Sequence, residues 1–113
     1  MMCKPGDLVG IPFPYSNLTT RKRRPVLVMT TPDRHGDFMD LAVTSVETEE
    51  SAVPIVEEDM LTGSLPRNSW IRYDKIFTLS TESVVKTYGS IKDELRVTVM
   101  VDLCRYIGCD MQH

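Results

Sequence analysis

No stretch of this 113-residue chain approaches the roughly 20 consecutive apolar residues that cross a bilayer, so no spanning helix is expected. Histidine occurs only at positions 35 and 113, and the three cysteines, Cys3, Cys104 and Cys109, form no CxxC pair. A structural zinc site takes about four closely spaced ligands, so no metal centre or cofactor is expected. An odd number of scattered cysteines reads as free thiols in a reducing cytoplasm and excludes a disulfide framework. The opening MMCKPGDLVGIPF has one lysine but neither a long apolar core nor a small-residue cleavage site, so a secretory signal is not expected either. Repeats, low-complexity tracts and linkers are lacking as well. With 42% hydrophobic and 26% charged residues, the chain reads as a single globular domain over 1–113, large enough to bury a modest core.

What is present is a segregation of charge. The net charge is -3, yet four cations stand together in RKRR at 21–24, while acid gathers at Glu47, Glu49, Glu50, Glu57, Glu58 and Asp59. An overall acidic balance argues against a general nucleic-acid coat protein, but it leaves room for a local basic site.

Strand signals dominate. DLVGIPF at 7–13 follows a Pro-Gly turn, and PVLVMTT at 25–31 reads as a strand opened by Pro25, which has no N–H for a ladder. Between them, PYSNLTTRKRR is rich in turn formers and reads as a loop. FMDLAVTSV at 38–46 returns antiparallel after the turn PDRHGD. SAVPIV at 51–56 suits an edge strand because of Pro54, EEDMLTG a turn or a single helical turn, and SWIRYDKIFTL at 69–79 a further strand. TESVVKTYG suggests a short helix closed by Gly89, with Ser90 as the N-cap of the terminal segment. That segment, IKDELRVTVMVDLCRYIG, carries both helical and alternating spacings; its length, the early Asp93 and Glu94, and Gly108 as a stop favour a helix. Mainly β structure with a terminal helix points to a small, twisted, partly closed barrel.

Three ordered stretches carry a resemblance. "GDLVGIPFPYSNLTTRKRRPVLVMT" at 6–30, "AVTSV" at 42–46 and "WIRYDKIFTLS" at 70–80 together resemble the MazF, PemK and Kid toxin family. The resemblance implies an SH3-like barrel, a homodimer, and metal-independent, sequence-selective cleavage of single-stranded RNA by the toxin of a type II toxin–antitoxin pair. It also implies a cognate antitoxin that neutralises the toxin. The matching positions are Arg24, Thr44, Ser45, Arg72 and Asp74. Some members place a histidine in the first loop; this loop has none, so a mechanism through that histidine does not carry over.

The implied chemistry suits these residues. RNA can be cut by its own 2′-hydroxyl, leaving a 2′,3′-cyclic phosphate and a 5′-hydroxyl; DNA lacks that nucleophile. Arg24 would hold the charge that builds on phosphorus, because a guanidinium is always charged and forked to match phosphate oxygens. Thr44 and Ser45 offer hydroxyl donors. Arg72 and Asp74, two apart on a strand, share a face, and their pairing would keep Asp74 ionised for orientation. Arg21, Lys22 and Arg23 would draw in an RNA backbone, while Tyr15, Asn17 and Trp70 would meet unpaired bases. Stripped of the resemblance, the same residues read as a solvated cation run, ordinary strand hydroxyls, a surface ion pair and a core tryptophan. Two alternatives share the fold: a CcdB-like protein-binding toxin acting on gyrase, and a noncatalytic SH3-like RNA- or peptide-binding module.

Overall fold

The computed structural model describes residues 3–12 and 23–109. Among these, the chain forms β1 (Asp7–Pro12), β2 (Arg23–Val28), β3 (Asp37–Thr44), β4 (Ala52–Ile55), β5 (Met60–Gly63), β6 (Ser69–Ser80), β7 (Lys86–Ile91) and α1 (Asp93–Ile107). The strands make one antiparallel sheet in the order β4-β6-β3-β2-β1-β7-β5, curled into a half-barrel. This is the mainly β architecture with a terminal helix that the sequence predicts.

The central strands are apolar on both sides because both faces of the sheet are covered. Leu8, Leu27, Leu41, Val43, Ile55 and Ile71 point to one face, where Val99 and Leu103 of α1 close the core. Val9, Ile11, Val26, Val28 and Phe38 point to the other and pack with Leu79, Val84 and the buried Cys3. That is why VLV in β2 reads as an unbroken run instead of an alternation. Full burial of one such side chain stabilises the fold by about 1.5–3 kcal/mol.

Helix α1 begins with Asp93 and Glu94 in its first turn, where carboxylates complement the helix dipole, and ends at Gly108 with φ of 85°. The edge of Tyr106 meets Tyr73 of β6 at a centroid distance of 5.7 Å. On the side away from the core, Val97, Met100, Val101 and Ile107 remain exposed.

The segment after β6 departs from expectation. Only Thr81–Ser83 forms a single 3-10 turn, and Lys86–Ile91 is a strand between β1 and β5, not a helix. EEDMLTG supplies the expected single turn, a 3-10 turn at Glu57–Asp59, but its second half is strand β5. The cause is a close backbone crossing. Gly63 pairs with Gly89. A Cβ on Gly63 would lie 1.9 Å from the Tyr88 carbonyl oxygen, and one on Gly89 would lie 2.0 Å from that of Thr62. Two glycines therefore let β5 and β7 meet, and Gly89 is a contact point, not a helix stop. Ser90 is not a cap: its hydroxyl lies buried 2.8 Å from that of Thr62. Pro25 sits inside β2, opposite Gly10; pairing with β3 starts only at Val26, so the missing N–H leaves no gap on that side.

One irregularity shapes the functional end. Leu41 pairs with Ile76, yet the next residue, Ala42, pairs with Arg72. Tyr73, Asp74 and Lys75 thus have no counterpart on β3, and β6 bends there.

Candidate functional site

Arg24 lies near the start of β2 and Thr44 at the end of the neighbouring β3, and both are half-buried. Two clefts open beside them. The first, about 530 Å³, is lined by Arg23, Arg24, Thr44, Ser45, Arg67 and Tyr88, among others. The second, about 410 Å³, is lined by Arg24, Ala42, Thr44, Arg72, Lys75 and Phe77, among others. Arg24, Pro25, Val43 and Thr44 line both and form the ridge between the two, with Arg24 and Thr44 as its polar members. Neither lining contains a carboxylate, while each contains several cations. A concave surface with one sign of charge focuses potential and concentrates anions.

Thr44 is oriented by its own chain. Its Oγ1 accepts a hydrogen bond from the Val46 N–H at 3.1 Å, leaving the hydroxyl proton to donate into the clefts. Ser45 comes immediately after it and is exposed in the first cleft. Arg72 donates twice to Asp74, from Nε to Oδ1 at 3.2 Å and from Nη2 to Oδ2 at 2.9 Å. This fork sits on the bent part of β6, and it turns Arg72 to the second cleft while Asp74 lines neither. Asp74 is therefore placed to orient a cation and not to meet an anion itself. The pair is only partly exposed, 31% and 19%, and its two-bonded fork contributes about 1 kcal/mol to stability. Asp74→Asn is accordingly expected to leave urea denaturation within about 1 kcal/mol of the parent. The same change should weaken anion binding in the second cleft severalfold, as a released Arg72 loses its fixed direction. Anion binding equal to the parent's would remove Asp74 as the group that aims Arg72.

Of the remaining predicted residues, Arg23 is exposed and lines the first cleft. Trp70 pairs with Thr44 on one side and Pro54 on the other; it is half-buried and lines neither cleft. Tyr15, Asn17, Arg21 and Lys22 lie outside the described residues. Arg67, Lys75, Phe77 and Tyr88 line the clefts although nothing in their spacing ties them to Arg24. No group of three or more His, Cys, Asp or Glu among the described residues is arranged to hold a metal ion. No helix among them is long and apolar enough to cross a membrane.

A curled half-barrel whose cation-lined clefts meet at an arginine and a hydroxyl is the framework of an anion-binding protein. The comparisons with known proteins make the class specific. The family model of PemK-like, MazF-like toxins of type II toxin–antitoxin systems matches residues 4–107, and the chain belongs to that family. Among solved structures, it is similar to an endoribonuclease in complex with its cognate antitoxin from a mycobacterial species, with 17% identity, TM-score 0.69, and coverage of 94% of this chain and 95% of that one. MazF from Deinococcus radiodurans matches with 19% identity and TM-score 0.70 over 96% of this chain and 98% of that one. The Mycobacterium tuberculosis toxin MazF-mt6 matches with 15% identity and TM-score 0.68 over 95% of this chain and 99% of that one. No curated protein matches the chain. At such identities the structural likeness speaks for the fold.

Proposed function

We propose that this chain is an endoribonuclease that cuts single-stranded RNA without a metal, as the toxin of a toxin–antitoxin pair acting in the cytoplasm. One observation carries the reading: Arg24 and Thr44 are the polar members of the ridge between two cation-lined clefts. A strand of RNA can pass over such a ridge with a phosphate on it and a nucleotide in each hollow.

The chemistry runs from the substrate's own 2′-hydroxyl. Its oxygen bonds to phosphorus and gives up its proton, the bond from phosphorus to the 5′ oxygen breaks, and that oxygen takes up a proton. The products are a 2′,3′-cyclic phosphate and a 5′-hydroxyl. The Arg24 fork stabilises the added negative charge on the pentavalent phosphorus, and the Thr44 hydroxyl donates to one of its oxygens. Ser45 adds a second donor. Arg72, aligned by Asp74, holds the next phosphate, and Arg23 with Arg21 and Lys22 draws the strand in. Tyr15 and Asn17 meet its bases, and Trp70, which lines neither cleft, meets only a base that lies outside them.

The reading implies two partners. A cognate antitoxin, such as the one bound to the mycobacterial relative, would neutralise this chain by laying an acidic segment over the clefts. A second copy of the chain would cover the apolar side of α1, where Val97 is 52% and Ile107 60% exposed, giving a homodimer.

The test is direct. Purified protein incubated with long single-stranded RNA in EDTA is expected to give fragments ending in cyclic phosphate, while DNA of the same sequence stays intact. Cleavage should fall steeply with salt as phosphate contacts are screened. Intact RNA across several sequences, or cutting that requires a divalent ion, would refute the reading.

A further inference from the structure

Part of the wall of the first cleft is built by two residues that the cleavage chemistry leaves unused, Arg67 and Tyr88. Both are held in place. Arg67 lies in the segment between β5 and β6. There the Ser64 N–H donates to the Tyr88 carbonyl at 3.1 Å, and the Leu65 N–H donates to Glu57 Oε1 at 2.8 Å. The Ser69 hydroxyl donates to the carbonyl of Arg67 itself at 2.9 Å. With Leu65 buried beneath it, the segment presents an exposed guanidinium from a tethered backbone.

Tyr88 projects from β7 across the bare backbone of β1 at Gly10. A Cβ on Gly10 would meet the tyrosine hydroxyl oxygen at 3.1 Å and Cε2 at 3.2 Å. Gly10 shows no left-handed backbone, so glycine here supplies room for the ring and not a turn. Lys86 Nζ stands over the ring, 5.1 Å from its centroid, so one face already holds a cation and the remaining ring surface is what an occupant of the cleft can meet.

We propose that this wall is a nucleotide subsite. It takes the residue next to the scissile link, with the Tyr88 ring against the unpaired base and Arg67 on the adjoining phosphate. The cleft, at about 530 Å³, lies within the roughly 300–1,000 Å³ of small-ligand pockets. Its lining combines three guanidiniums with an aromatic ring and apolar surface from Leu65 and Pro66. An acidic polypeptide needs only the cations; an occupant with both a phosphate and a flat base uses the ring as well. The subsite deepens the RNA-cleavage reading above and, as a step of cleavage, rests on it.

The experiment uses short single-stranded RNA oligonucleotides that vary at each position, together with 2′-O-methyl versions that cannot be cut. Arg67→Gln is expected to raise KM about tenfold and to reduce the slope of log affinity against log salt by about 1. Tyr88→Leu should flatten the base preference at one position next to the cut and weaken binding about tenfold, while Tyr88→Phe keeps the parental preference. Arg105→Ala, an equal loss of charge on α1, controls for net charge, and thermal melts control for folding. If the parent cuts RNA and the variants match it in KM, salt slope and base preference, the subsite is refuted while the nuclease stands. If the parent binds the uncuttable oligonucleotides through Arg67 and Tyr88 but cuts no RNA, the subsite stands and the nuclease falls. Neither binding nor cutting overturns both. Loss of binding to poly-glutamate, with oligonucleotide binding unchanged, assigns the wall to an acidic protein partner and also refutes the subsite.

Discussion

Arg24→Ala is expected to lower RNA cleavage by about 100- to 1,000-fold, the usual consequence of removing one fixed donor aimed at developing negative charge. The guanidinium sits on a strand that is paired on one side through Ile11 and then, from Val26 onward, on both. Little reorganisation is therefore needed as charge builds on phosphorus. Because its charge is concentrated on the transition state, kcat should fall more than KM rises. Arg24→Lys should recover part of the loss, since an ammonium restores the charge but not the fork. Thr44→Val, which removes one neutral donor from the same ridge, should cost only about tenfold. Single-turnover cleavage of one defined RNA measures all three, with circular dichroism as the check on folding. An Arg24→Ala protein that is folded and cuts at the parental rate would remove the arginine from the mechanism.

Much of the fold could be read along the chain, and the reason lies in local patterning. DLVGIP, VLV and FMDLAVT are apolar runs that belong in the interior of a curled sheet, and each is a strand. The terminal helix announced itself through Asp93, Glu94 and Gly108. The reading failed at 81–91, where composition alone suggested a helix. What makes Lys86–Ile91 a strand is a crossing of Gly89 with Gly63 and a ladder to β1, both distant in sequence. The functional end divides the same way. The family pattern points to Arg24 and Thr44, and both line the two clefts. Arg67 and Tyr88 reach the first cleft, and Lys75 and Phe77 the second, only because the sheet curls and β6 bends, which no spacing reveals.

The second large effect lies four residues before Thr44, on the same strand. Asp40 is fully buried, opposite Val28 and Phe77, and among the described residues neither carboxylate oxygen has a hydrogen-bond partner. Burial disfavours the charged form and pushes this carboxyl up to about 7 from its ordinary value of 3.8. Proton counting gives the sign. Below about pH 4 the group is protonated whether the chain is folded or not, and burial then costs least. Between about pH 4 and 7 the unfolded chain releases the proton while the folded one keeps it, so stability falls as pH rises. Above about 7 both forms are ionised and the loss is complete. The rise from 3.8 to about 7 corresponds to at most about 4 kcal/mol. Asp40→Asn removes the ionisation, so it should stabilise the protein by about 2–4 kcal/mol at pH 8 and by much less at pH 4. Urea titrations of parent and variant at both pH values isolate this group, because every other titrating residue is common to the two. Curves that stay parallel between pH 4 and 8 would mean that Asp40 is charged and compensated in the folded protein. A convergence at low pH would mean that this strand carries a neutral carboxylic acid four residues before the ridge at Thr44.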